Sequence, residues 1–336
     1  MSGVLNHASS SASPSTSLSS LWAYVRPALD HIVKSPSNEI NGKAPAIDFG
    51  LYAGIHSACY NYFITQSENS VNLPVMDDPD QSSVSRTDIY MWLDKYFTEA
   101  AREISIGVPL DDISLVKYTV FSFNRFHAGA QSADRLLSYV NRHYVRRAVD
   151  EDRGWLRLAD VLESNSAMMT ITSIEESHAV FARKLRERRL EELKKWGYRR
   201  GDSEEKAILA ESCAEAASSP ERVVPVLSLA HRRFRIEFIE PLLAVPKTAT
   251  KIKAKVKHKI PKPPPGLYPA KPKGRLARAV QSLLETDAID NEEKYFLVST
   301  LANALLLIGV PEDHSLRKKL HKHIEISALT FSFFQH

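Results

Sequence analysis

The sequence predicts an all-α protein, a bundle of packed helices, and three features carry that prediction. Apolar residues recur at helical spacing: Ile89, Trp92, Leu93, Tyr96, Phe97, Ala100 and Ile104 fall on one face of a single helix. No stretch alternates apolar and polar residues over a useful length, which is the pattern a half-buried strand requires. Start and stop signals bracket the periodic stretches, with Ser19 and Ser20 ahead of the first and Gly197 and Gly309 placed just past later ones.

Composition bounds the rest. The chain has 336 residues, 43% hydrophobic and 25% charged, with a formal charge of +4, ordinary values for a globular protein with a sizeable core. The two cysteines, Cys59 and Cys213, offer neither a disulfide framework nor metal-ligand spacing, so a reducing cytoplasmic or nuclear setting is expected. The most apolar run, Leu301 to Val310, is too short to cross a bilayer, and the first residues lack the pattern of a signal peptide. No membrane association is expected.

In chain order, residues 1–20 are serine-dominated and read as a disordered tail. A helix from Leu21 to Val33 carries Trp22, Val25, Leu29 and Ile32 behind the cap candidates Ser19 and Ser20, with Pro27 expected to kink or interrupt it. The next helix, from about Asp48 to Ile64, has an unusually wide apolar stripe. Ile55, Cys59 and Tyr62 form one line, Ala53, His56 and Tyr60 a neighbouring one, with Tyr52 between them. Either both sides of this helix are buried in its own domain, or half of the stripe faces a partner. Residues 67–86 read as a loop. The strong helix from Thr87 to Ile104 ends at Gly107-Val108-Pro109, and Leu115 to Arg147 continues with helical periodicity and an expected bend near Gly129.

Beyond Asp150 the pattern changes. Ser173 and Glu176 form a capping box opening a charge-rich helix that stops at Gly197, read as a solvated, salt-bridged helix in preference to a nucleic-acid contact. Helices follow from about Ser203 to Ala217 and from about Pro225 to Val245. Residues 246–274 hold nine lysines, seven prolines and no acidic residue, a composition that fits a solvated linker or a nuclear-localisation or nucleic-acid patch. Two more helices, Leu276 to Leu284 and about Glu292 to Ile308, precede an exposed apolar cluster at Ala328 to Phe334.

Catalytic chemistry leaves no spacing signal in this chain. It has no phosphate-cradling glycine loop, no H-E-x-x-H and no C-x-x-C, and no cofactor is expected. His321 and His323, two apart, fall on different sides of a helix, and Asn141, Arg142 and His143 diverge on theirs. The chain reads as a non-enzyme.

One stretch has a readable identity. Tyr139-Val140-Asn141-Arg142-His143-Tyr144-Val145-Arg146-Arg147, with Asp150-Glu151 behind it and Phe123-x-Arg125-Phe126 ahead of it, resembles the end of the fifth helix of the first cullin repeat. The likeness extends through Trp22, through Tyr52 to Tyr62, through the Ile89 helix, and again through Ser228-Leu229-Ala230 to Pro241-Leu242. The resemblance implies a cullin-repeat helical bundle over 21–150, a divergent helical insertion at 151–225, a helix at 226–245 completing the first repeat, the basic linker at 246–274, and a partial second repeat at 275–336. It also implies a scaffold that binds a BTB/POZ-fold substrate adaptor in ubiquitin-dependent protein catabolism. Carried over position by position, the adaptor-binding surface is Tyr52, Ala53, His56 and Tyr60 with Tyr139 and Arg142. Two positions depart from the family, which usually has a large apolar residue where Ala53 stands and an aromatic where His56 stands. A chain ending early in the second repeat would lack the cullin-homology domain and would recruit no RING protein. The competing readings are a nucleic-acid or nuclear role through 246–274, and a degenerate truncated cullin.

Overall fold

A computed structural model describes residues 13–35, 43–71, 88–157, 174–245 and 274–333. Among these residues the secondary structure is helical throughout, with no strand and one isolated bridge between Gly154 and Val223. The helices are α1 (Leu18–Leu29, continued by a π-wound turn, Asp30–Lys34), α2 (Phe49–Val71), α3 (Ile89–Ile106) and α4 (Asp112–Leu136). Next come α5 (π-wound Val140–Val145, then Arg146–Asp150), α6 (Ile174–Lys194) and α7 (Glu204–Ala217). The last are α8 (Val226–Phe234, π-wound Arg235–Ile239, then Glu240–Leu243), α9 (Arg275–Glu285), α10 (Asn291–Leu307) and α11 (Ser315–Phe333).

Several sequence expectations need correction. The cap of α1 is Ser17, whose hydroxyl accepts the Ser20 N–H at 3.1 Å, so the helix starts inside the stretch expected to be disordered. Pro27 does not interrupt α1. Two residues beyond the proline, Leu29 gives way to the π turn, and the Asp30 N–H is shared between the Arg26 and Pro27 carbonyls. α2 runs to Val71, through the first residues of the stretch expected to be a loop, and residues 72–86 of that stretch lie outside the described residues. A third C-terminal helix, α11, covers Ser315–Phe333, where no helix was expected, and carries most of the apolar cluster read at Ala328 to Phe334. Its Leu316 and Leu320 are buried, and Ala328 and Leu329 are exposed on it. Residues 1–12, Ser173 of the proposed capping box, the basic segment 246–273 and Phe334 lie outside the described residues.

The helix α4 runs without a break through Gly129, where a bend was expected. Gly129 is a contact point: a Cβ there would lie 2.8 Å from the Ile32 carbonyl oxygen and 2.9 Å from the Val33 Cα, so only glycine lets the end of α1 pack against the middle of α4. The break falls instead at Leu137, where φ −101° and ψ 29° end α4. The expected stop at Gly309 is observed, with φ +80°, and a Cβ at that position would also meet the Ala217 backbone nitrogen at 2.5 Å.

One buried cluster runs from Leu21 to Leu320, so the boundaries drawn at 151, 226 and 275 do not divide the core. The helices α9 and α10 pack on α4, and α7 packs on α8 and α10. At the centre, Phe126 and Phe234 lie 5.0 Å apart, Phe234 and Phe238 4.9 Å, and Phe97 and Phe126 6.2 Å. The turn between α7 and α8 is fastened to this core by buried polar groups. Arg232, fully buried, donates to the Arg222 carbonyl at 2.7 Å, the Ser218 hydroxyl at 2.7 Å and the Glu215 carbonyl at 3.1 Å. The Tyr90 hydroxyl donates to the Val224 carbonyl at 3.0 Å and accepts the Val224 N–H at 2.9 Å. This turn lies within the stretch expected to be an insertion.

Candidate functional site

The expected surface residues come from two elements that the fold brings side by side. On α2, Ile55, Ala58, Cys59 and Tyr62 are buried, while Tyr52 and Tyr60 are 37% and 43% exposed and His56 and Ala53 are half-buried. One side of the wide stripe is therefore buried and the other is left partly exposed. On α5, Val140 and Val145 are both buried although five residues apart, a spacing that the π winding accommodates. The same winding leaves Tyr139 half-buried against the core and Arg142 and His143 exposed.

The side chains meet in an aromatic ladder along the α2–α5 seam. Tyr52 stacks on His56 with centroids 6.3 Å apart, and His56 meets Tyr139 at 4.4 Å. Tyr139 is the hub: Tyr60 lies 5.3 Å away, His143 stacks on it at 5.5 Å, and the Arg142 guanidinium carbon sits 5.9 Å from its ring centre. Phe63 stacks on His143 at 5.8 Å and extends the ladder by a ring that the sequence reading left out. The Tyr52 hydroxyl donates to the Arg135 carbonyl at 3.3 Å, anchoring one end of the ladder to the last turn of α4. Ala53 lies beside Tyr52 on α2 without contributing a ring. The flank is basic: Arg135, Arg142, Arg146 and Arg147 are exposed, and Arg147 is held by Glu151 at 2.8 Å.

No family model matches the chain, and neither a curated protein nor a solved structure matches it.

Asn141, in the middle of the readable stretch, has a role the sequence did not reveal. Pro225 precedes α8 and has no side-chain acceptor, so the first N–H groups of α8 need partners from elsewhere. The Asn141 side-chain oxygen Oδ1 accepts from Val226 N–H at 3.0 Å and the Asp134 carboxylate accepts from Leu227 N–H at 3.1 Å. The Asn141 amide in turn donates to Asp134 at 2.8 Å. The capping residues are more than eighty positions away in sequence from the helix they cap, so no local pattern could signal the cap.

Among the described residues no group of three or more histidine, cysteine or acidic side chains could hold a metal ion, and no helix is long and apolar enough to cross a membrane. His321 and His323 engage different neighbours on α11, Arg317 at 3.4 Å and Ser327 at 3.4 Å, as their two-residue spacing requires. Burial pushes both thiols, Cys59 and Cys213, up to about 12, leaving them as inert core groups.

Proposed function

We propose that the chain is a cullin-like scaffold that binds a BTB/POZ-fold substrate adaptor of a ubiquitin ligase through the α2–α5 seam, acting in the cytoplasm or nucleus. The supporting observation is the ladder itself: five of the six positions carried over from the resemblance, drawn from segments about eighty residues apart, touch one another in a continuous chain of rings and a guanidinium. Tyrosine and arginine are enriched at interface centres, because each gives a large, stiff contact area with a polar tip. Catalysis is not part of this reading.

The test is calorimetry with a purified BTB/POZ-fold adaptor. Tyr139→Ala and Tyr60→Ala should each weaken binding by about 1–3 kcal/mol, roughly 5- to 150-fold, and Arg142→Ala should do so if it meets an acidic group. Normal binding by both tyrosine variants would overturn the proposal.

A further inference from the structure

A second aromatic assembly lies away from the seam, where α1 crosses α3. A cleft of about 560 Å³ opens there, within the size range of small-molecule sites. Its walls are Trp22, Trp92 and Tyr96, and its charged lining is Arg26, Lys95 and Glu99. Trp22 and Trp92 meet edge to face, centroids 5.5 Å apart with planes at 90°, and Trp22 meets Tyr96 at 6.1 Å and 73°. Both indoles are only partly buried, and Trp22 packs on the core behind while its ring edge meets Trp92. This corner can seat one flat ring against the face of one indole and the edge of the other.

The charges choose the sign of the ligand. Arg26 and Lys95 approach the cleft from different helices, and both are well exposed. Their intrahelical carboxylates, Asp30 and Glu99, stand off at 3.7 and 3.9 Å, beyond hydrogen-bond length, so each cation keeps donors free for an incoming anion. Arg26 and Lys95 outnumber the single lining carboxylate, Glu99, so the charge facing the cleft is net positive and disfavours a cation. We infer that the α1–α3 cleft binds a planar aromatic acid, its ring against Trp22 and Trp92 and its anionic group between Arg26 and Lys95. The inference is independent of the adaptor reading.

Nitrogen-labelled full-length chain titrated with naphthalene-2-sulfonate tests it, since each of the 4 tryptophans gives its own indole N–H resonance, assignable by single Trp→Phe variants. The expected result is a saturable shift of the Trp22 and Trp92 resonances, with Trp155 and Trp196 unmoved. The double variant Arg26→Glu, Lys95→Glu alters only exposed side chains and should weaken binding by ~10-fold or more. A naphthyl trimethylammonium probe should not bind. No shift at Trp22 and Trp92, an equal shift at all the indoles, unchanged affinity in the double variant, or equal binding of the cationic probe would each overturn the inference.

Discussion

Two aromatic assemblies in this bundle have similar ring spacings and opposite chemistry. In the column between α3, α4 and α8, Phe97, Phe126, Phe234 and Phe238 meet at 4.9 to 6.2 Å and are sealed from solvent. Along the α2–α5 seam, tyrosines, histidines and one phenylalanine meet at 4.4 to 6.3 Å and are wet on one side. Spacing does not distinguish them; the polar tip does. A buried ring with a hydroxyl has a polar atom to satisfy, as Tyr90 does with both backbone groups of Val224. Phenylalanine has no such requirement and fills the centre, while tyrosine and histidine collect where one edge can stay in water.

The largest effect that separates the two assemblies is loss of stability. Phe234→Ala should destabilise the fold by about 3–5 kcal/mol, since the side chain is fully buried and three other phenylalanines lose contact with it. Ile55→Ala, on the buried side of α2, should cost about 2–5 kcal/mol. Denaturant melts measure both. A loss below 1 kcal/mol at Phe234 would mean that the column is not the centre of the core.

The column also has an acid-sensitive member. His231 is buried, its Nε2 lies 2.8 Å from the Nδ1 of His127, and the ring stacks on that of its partner at 5.0 Å. Burial, then the neighbouring imidazole, pushes His231 down to about 3 from the usual 6.5, and burial lowers His127 as well. The unfolded chain therefore binds protons between 6.5 and about 3 that the native chain refuses, so stability falls as pH drops through that window. Glu215 acts with the opposite sign. Its carboxyl is raised to about 8 by burial, so it costs stability as pH rises from 4.5 to about 8. Comparing wild type with His231→Phe cancels that contribution. From pH 6.5 to 4 the wild type should lose up to about 3 kcal/mol more than the variant. Parallel curves would show that His231 takes up a proton in place.

A smaller effect tests the link between the two assemblies. Asn141 sits next to the hub of the ladder yet serves α8, which carries Phe234. Asn141→Ala should lower stability by about 1 kcal/mol through loss of a cap, and hydrogen exchange should quicken first at Val226 and Leu227. Unchanged exchange there would separate the seam from the column.

How much of this was legible depends on how local the cause is. The face of α3, the stops at Gly197 and Gly309 and the all-helical character follow from periodicity and punctuation, which are local. The ladder positions were named through the resemblance and the stripe of α2, but Phe63 was not, because nothing in its spacing sets it apart from Tyr60 and Tyr62 beside it on the same helix. The capping of α8 by Asn141 and Asp134, the clamp by Arg232 and the His127–His231 pair join residues ten to more than a hundred positions apart. The role of Gly129 was hidden for the same reason: its cause is the neighbouring α1, while glycine in a helix ordinarily signals weakness. The helix α11 did leave a signal in Leu316, Leu320 and Ile324, spaced four apart behind Ser315.

The smallest expected effect is the sharpest test of the comparison. Tyr60 is 43% exposed and leans on Tyr139 at 5.3 Å with a tilted ring, so it shares one face with the protein and offers the other to solvent. Truncating it removes one tilted, half-solvated aromatic contact, at the low end of the roughly 0.5–1.5 kcal/mol such pairs contribute, so Tyr60→Ala should lower stability by about 1 kcal/mol. Tyr60→Phe keeps the ring and should leave stability unchanged within ~0.5 kcal/mol, since the hydroxyl of an exposed tyrosine is solvated in both states. Denaturant midpoints for the pair, beside those of Phe234→Ala, place the ladder on the energetic scale. If Tyr60→Ala unfolds the chain as Phe234→Ala does, the ladder is an outlying part of the core, and its rings are held there for packing. If the loss is small, the ladder keeps ring surface that folding does not need, which a binding surface requires.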